Sequence, residues 1–138
     1  MRLAIIAAVT ILCGMAGVQA APLSPAEQEI DTCVKAAAAS DHVSVKDVDQ
    51  GACECATQEL HKLLKPGDYA LHERMLQIIA SGADETAFNK QMSDVMLGRG
   101  MNQSDADAFL ARSKAAERKA RDDCNPSILL DAPPETGH

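Results

Sequence analysis

The stretch Ala52-Cys53-Glu54-Cys55-Ala56 places two cysteines one residue apart near the start of a predicted helix. An α-helix has 3.6 residues per turn, so side chains two positions apart point about 160° away from each other. Cys53 and Cys55 therefore cannot bond to one another while the helix persists, and each must face a different neighbour. The pair predicts two disulfides that leave one helix in opposite directions.

The other two cysteines downstream of residue 20, Cys33 and Cys124, lie in the first and last predicted helices. Pairing Cys33 with Cys53 and Cys55 with Cys124 fits this arrangement, and so does the exchanged pairing, so the sequence leaves the connectivity open. In either case both terminal helices are tied to the helix that carries Cys53 and Cys55. Each bridge is expected to contribute about 3 to 4 kcal/mol by restricting the unfolded chain.

The chain begins with the pattern of a secretory signal peptide. Met1 and Arg2 form a short positive start, residues 3–18 are an almost unbroken apolar run, and Val18-Gln19-Ala20 is a small-residue cleavage pattern. We expect cleavage after Ala20, which makes residues 1–20 the signal peptide. The apolar run is shorter than the roughly 20 residues that span a bilayer, so no membrane span is expected after cleavage. The alanine-rich leader favours a periplasmic or secreted protein, where disulfides persist.

The mature chain is acidic and poor in aromatic residues. Once residues 1–20 are removed, 12 basic and 20 acidic residues remain, which gives a net charge of −8. Its three aromatic residues are Tyr69, Phe88 and Phe109. Surfaces that bind nucleic acid combine basic side chains for the phosphates with rings that stack on the bases. We therefore expect no nucleic acid among the partners of this protein.

Apolar spacing and turn residues predict an all-α domain over residues 21–126, built as a small bundle of four to five helices. Ser24-Pro25-Ala26-Glu27 has the capping hydroxyl, the first-turn proline and the carboxylate that begin a helix. Residues 127–138 are predicted to form a flexible C-terminal tail. The predicted helices run from Ser24 to about Ala39, from about Asp47 to Leu64, from Asp68 to Ala80, from Asp84 to Gly98, and from near Asn102 or Ser104 to Asn125.

The third predicted helix is apolar over more than half of its circumference, which is typical of a helix with neighbours on both sides. It is therefore expected to be central, and its apolar strip is the expected binding surface if the fourth helix moves away. The expected inward face of the first helix consists of Ile30, Cys33, Val34 and Ala37. That of the fourth consists of Phe88, Met92, Val95 and Met96.

A copper-binding or thiol-redox protein is the alternative interpretation. Cys53 and Cys55 are thiols, and the other soft or imidazole ligands that helical spacing brings together are His72, Met75, Met92 and Met96. The cysteine spacing disagrees with the Cys-x-x-Cys hooks of structural zinc and of disulfide exchange. Methionines in an apolar stripe also indicate core more often than ligand. We therefore predict no cofactor and no metal site, and keep copper or thiol chemistry as the alternative.

No local catalytic motif is present: the sequence has no Gly-x-Ser-x-Gly elbow, no His-Glu-x-x-His and no glycine-rich phosphate loop. No catalytic residue is predicted, and the sequence favours a protein that is not an enzyme. The leading hypothesis is an exported helical binding or structural module that engages a protein partner or a small apolar ligand.

Overall fold

The computed structural model describes residues 21–124. All regular secondary structure in this part of the chain is helical. A single 3-10 turn, Val45–Asp47, precedes the second helix. The helices are α1 (Pro25–Asp41), α2 (Gln50–Leu63), α3 (Pro66–Ala80), α4 (Glu85–Gly98) and α5 (Gln103–Cys124). The predicted signal peptide, residues 1–20, and the predicted tail, residues 127–138, lie outside the described residues. None of the five helices is both long and apolar enough to cross a bilayer.

The starts of the helices follow from short-range hydrogen bonds of polar side chains. At α1 the Ser24 hydroxyl accepts from the Glu27 amide at 3.3 Å, and the Glu27 carboxylate accepts from the Ser24 amide at 2.7 Å, as the sequence predicted. At α2 the carboxylate of Asp49 accepts from the amides of Gly51 and Ala52. Because Asp49 is the cap, α2 begins three residues later than predicted.

α3 begins at Pro66, two residues before its predicted start at Asp68. The fixed backbone angle of proline suits the first turn of a helix, where its missing N–H is not needed. The connection between α2 and α3 is therefore very short.

Contacts between the helices define an up-down-up-down-up bundle. α3 contacts all four other helices, which confirms its predicted central position. Asp68 near the start of α3 accepts two hydrogen bonds from Arg112 of α5, at 2.8 and 3.0 Å. His72, one turn later on α3, contacts Ser113 of α5, so the two helices run side by side in the same direction. α2 runs antiparallel to α5, since its first half is bonded to the last residue of α5.

The buried apolar residues form two clusters on opposite sides of α3. The first joins α3, α4 and the first half of α5, and consists of Leu71, Met75, Ile78, Met92, Met96 and Phe109. The second joins α2, α3 and the second half of α5, and consists of Leu60, Leu64, Tyr69, Ala116 and Ala120. The predicted inward face of α4 is confirmed, because Phe88 and Val95 pack against the first cluster beside the two methionines.

The inward face of α1 differs from the predicted stripe. Val34 is buried as expected, together with Ala36 and Ala38. The other three members of the stripe, Ile30, Cys33 and Ala37, are only half-buried. Ile30 lines one cleft, and Cys33 and Ala37 line another, so these side chains do not face a filled core.

Both disulfides radiate from α2, as predicted. Cys33–Cys53 joins α1 to α2 with Cα atoms 5.8 Å apart, and Cys55–Cys124 joins α2 to the end of α5 with Cα atoms 5.7 Å apart. The structure thus selects the first of the two pairings that the sequence left open. Both terminal helices are fastened to α2.

Removal of the two bridges is expected to have unequal costs. The Cys55–Cys124 bridge spans 69 residues and the Cys33–Cys53 bridge spans 20. The restriction of the unfolded chain grows with loop length, so the pair C55S/C124S should lose about 4 kcal/mol of unfolding free energy and the pair C33S/C53S about 3 kcal/mol. Chemical denaturation followed by circular dichroism measures both values. A larger loss from C33S/C53S would contradict the loop-length account.

Candidate functional site

A cleft of about 330 Å³ lies between α1, α2, α3 and α5 and is bordered by both disulfides. We call it the disulfide cleft. Its walls are made mostly of small or apolar residues, and its polar groups come from α3, α5 and the start of α2. The lining residues are Cys33, Ala37, Val48, Asp49, Ala52, Cys53, Ala56, Leu60, His72, Leu76, Glu117, Ala120, Arg121 and Cys124.

The cleft exists because alanine occupies the positions where the helices face one another. Ala52 and Ala56 are one turn apart on α2, and Ala37 of α1 and Ala120 of α5 also line the space. Side chains that end at Cβ cannot fill the gap between helices whose separation is set by the disulfides. The result is an apolar hollow beside the second core cluster.

His72 is one of the residues that line the disulfide cleft, and it is 1% exposed. Its Nδ1 atom is 2.8 Å from the hydroxyl of Ser113, which is also 1% exposed. The other ring nitrogen, Nε2, is buried and has no hydrogen-bond partner among the described residues. An unpaired buried polar atom costs about 1 to 3 kcal/mol, so this nitrogen is an unsatisfied group in the interior of the fold.

The surroundings of His72 and Glu117 disfavour a charge of either sign on these side chains. Burial lowers the pKa of His72 to about 4, so the ring is neutral at pH 7. Glu117 stands 3.5 Å from Nδ1 of His72, and burial raises the pKa of this carboxyl, although nearby Arg121 and Lys114 lower it in part. Both shifts have the same origin, since the apolar surroundings destabilise a charged form.

Two further clefts lie elsewhere on the surface. A groove of about 250 Å³ between α4 and α5 has Met92 and Met96 at its base, with Leu97 and Leu110 exposed by 67% and 43% at its rim. A third cleft, of about 420 Å³, lies between α1 and the 3-10 turn and carries the charged Glu27, Asp31 and Lys46. Neither groove contains a buried polar group without a partner.

A second group of titratable side chains joins α1, α2 and α3. The carboxylate of Glu29 accepts from the hydroxyl of Tyr69 at 3.1 Å and lies 2.8 Å from Nε2 of His61. The rings of His61 and Tyr69 are stacked with their centroids 3.7 Å apart. Glu73 is nearby, and its pKa is raised, chiefly by burial and further by Glu29. The contacts among Glu29, His61 and Tyr69 hold the three helices together.

The structure separates the residues of the predicted copper alternative. Met75, Met92 and Met96 belong to the first core cluster, whereas His72 contacts Ser113 and lines the disulfide cleft. Among residues 21–124 no three His, Cys, Asp or Glu side chains are grouped as a metal ion would require. The cysteines named as candidate site residues form the two bridges that border the cleft.

His72 was among the predicted candidate residues, whereas its two contacts on α5, Ser113 and Glu117, were not predicted. A signal was present, because Ser113 occupies the position one turn after Phe109 on the apolar face of α5. A hydroxyl on one apolar face and a histidine on another are each costly alone. Their joint presence in a small core indicates a buried pair.

No protein-family model matches this chain, and neither a curated protein nor a solved structure is found to be similar to it.

The buried state of His72 should make the fold sensitive to acid. The unfolded chain binds a proton at this residue near pH 6.5 and the folded chain only near pH 4, so the unfolded state holds more protons between these values. The unfolding free energy should therefore fall as the pH decreases through this window, by up to about 3 kcal/mol from this residue. Denaturation curves between pH 7 and pH 4 measure the slope.

The variant His72→Asn is the control for that slope. The raised pKa values of Glu73 and Glu117 stabilise the fold at low pH, so they oppose the histidine contribution and remain in the variant. The difference between the two proteins isolates His72. Parallel curves for wild type and variant would show that the imidazole does not stay neutral on folding.

Tyr69 should titrate well above its ordinary range. Burial raises the pKa of its hydroxyl, and the neighbouring carboxylates of Glu29 and Glu73 raise it further. The chain has one tyrosine and no tryptophan, so the absorbance of tyrosinate near 295 nm reports this group alone. The folded protein should hold the neutral form beyond pH 10 and lose stability as the pH rises further, whereas denaturant should restore ordinary titration. Identical folded and denatured titrations would contradict the burial.

Proposed function

We propose that this protein is an exported helical binding module that holds a small apolar ligand in the disulfide cleft. The observation that carries the proposal is an apolar cleft that is bordered by both disulfides and has a few polar side chains, among them Glu117 and Arg121, in its lining. Ligand sites in proteins are mostly apolar concavities with a few polar groups that fix the orientation of the ligand. The disulfide cleft has both parts.

The size of the cleft sets the size of the ligand. About 330 Å³ lies at the lower end of the range of small-molecule sites, so a molecule with one or two small ring systems or a medium alkyl chain fits, and a long lipid does not. The walls are rigid on two sides, because Cys33–Cys53 and Cys55–Cys124 fix the separation of α1, α2 and α5. A preformed cavity loses little entropy on binding.

Export is part of the proposal. The leader pattern of residues 1–20 and the two disulfides are both consistent with a periplasmic or secreted protein, since such bridges persist outside the reducing cytosol. No catalytic role is proposed. His72 contacts the hydroxyl of Ser113, but both side chains are only 1% exposed, so this pair is not open to a substrate.

The copper or thiol-redox alternative has less support. It requires free thiols or a convergence of His72 with the methionines, and the four cysteines are paired in two bridges. Alkylation of the purified protein followed by mass spectrometry separates the two hypotheses. Two alkylated cysteines or retained copper would favour the alternative.

A larger side chain in the lining of the disulfide cleft should weaken the binding of an apolar probe. N-phenyl-1-naphthylamine, which fluoresces in apolar surroundings, should bind the wild-type protein, and Ala56→Leu should weaken its affinity at least about tenfold because the added carbons occupy the cavity. A tenfold change corresponds to about 1.4 kcal/mol. Fluorescence titration measures both affinities.

The matched control is Ala115→Leu, which adds the same atoms at an exposed position of α5 outside the lining. It should leave the probe affinity unchanged. Equal binding by wild type, Ala56→Leu and Ala115→Leu would place the probe elsewhere, for example in the groove between α4 and α5, and would contradict the proposal.

A further inference from the structure

We infer that the ligand of the disulfide cleft is a free α-amino acid with an apolar side chain, whose ammonium group pairs with Glu117 and whose carboxylate pairs with Arg121. This inference rests on the proposed function and adds the chemical class of the ligand. Glu117 and Arg121 both line the cleft, and they lie four positions apart on α5. These two residues would therefore determine the specificity of the site.

Both charged side chains are accessible to a ligand. The side chain of Glu117 is 37% exposed, and Arg121 is an exposed residue. An α-helix rises 1.5 Å per residue, so the two positions are about 6 Å apart along the axis of α5. The ammonium and carboxylate groups of an α-amino acid are joined through a single carbon atom. One such molecule can therefore contact an acidic and a basic side chain at this short spacing.

Glu117 and Arg121 do not neutralise each other by direct contact. A glutamate four residues before an arginine on a helix favours an ion pair. The ion pairs within residues 21–124 nevertheless do not include one between these two side chains. The carboxylate of Glu117 instead lies 3.5 Å from Nδ1 of His72, a ring that is neutral at pH 7. Each of the two charges can therefore pair with an opposite charge on a ligand.

The charges in the lining favour a ligand that carries both signs. Burial raises the pKa of the Glu117 carboxyl, and a nearby ammonium group would stabilise its charged form. A ligand with an ammonium group alone would bring a second positive charge close to Arg121. A ligand with a carboxylate alone would meet the acidic side chains of Asp49 and Glu117, which line the same cleft. An ammonium group and a carboxylate on one molecule offset both repulsions.

The apolar part of the lining fits the side chain of such an amino acid. Leu60, Leu76 and Ala56 contribute apolar surface to the cleft, whose volume of about 330 Å³ suits a side chain as large as that of leucine or phenylalanine. The charged groups of the ligand would lie beside side chains that remain partly exposed to water. Binding therefore does not require the burial of an unpaired charge, which would be costly.

Three compounds with the same phenyl body test the two head-group contacts. At pH 7, L-phenylalanine carries both charges, phenethylamine carries only the ammonium group, and 3-phenylpropanoate carries only the carboxylate. Titration calorimetry on the wild-type protein should show that L-phenylalanine binds about tenfold tighter than either analogue, because each analogue lacks one charge-assisted hydrogen bond. Equal affinities, or a dependence on one of the two charges alone, would overturn the inference.

Two substitutions assign each contact to its residue. Glu117→Gln should weaken the binding of L-phenylalanine and phenethylamine about tenfold and should not weaken that of 3-phenylpropanoate. Arg121→Gln should weaken the binding of L-phenylalanine and 3-phenylpropanoate and should not weaken that of phenethylamine. The matched controls are Glu54→Gln and Arg118→Gln, which remove the same charges at exposed positions outside the lining. Affinity losses as large in the controls as at Glu117 and Arg121 would contradict these contacts.

N-phenyl-1-naphthylamine distinguishes a failure of this inference from a failure of the proposed function. Its affinity should be nearly the same for the wild type, Glu117→Gln and Arg121→Gln, because the probe carries no charge at pH 7. If the probe binds in the cleft while the three phenyl compounds bind equally or not at all, the amino-acid inference is wrong and the apolar site stands. If neither the probe nor any of the three compounds binds, both are wrong.

Discussion

The structure depends on the direction in which two sulfur atoms leave α2. Cys53 and Cys55 are two positions apart on one helix, so helical geometry sends one towards α1 and the other towards the end of α5. The first and last described helices are thereby fixed to the same short rod. A chain with few large side chains would otherwise bury little apolar area per residue, and the bridges supply stability that the core does not.

The same constraint explains why a cavity survives in so small a bundle. In most helical packings the distance between helices adjusts until side chains interlock at close to crystalline density. Here covalent bonds fix α1 and α5 relative to α2, and the facing positions carry Ala52, Ala56 and Ala120. The helices cannot close the gap that alanine leaves. An open apolar cleft follows from the pairing of short side chains with rigid crosslinks.

The sequence was informative where physical rules act locally. The capping box at Ser24 and the opposed cysteines depend on a few neighbouring residues, and each prediction was confirmed. α2 begins three residues after its predicted start and α3 begins two residues before its own, because the first turn of a helix depends on how the chain enters it. Disulfide connectivity required the third dimension. The cleft could not be predicted from the sequence either, because it is a space between helices and no residue pattern shows where packed helices leave a gap.

His72 shows how the disulfides and the core of the fold are coupled. Pairing Nδ1 with Ser113 satisfies one nitrogen of a buried ring, but the second nitrogen has no partner among the described residues. Replacing such a pair with apolar side chains of similar volume is neutral or stabilising, because it removes this cost. A fold already held by two disulfides tolerates the cost. The stability that the two bridges supply thus offsets the cost of the unpaired polar atom. In a bundle of this size without such bridges, the same atom would lower the stability of the fold.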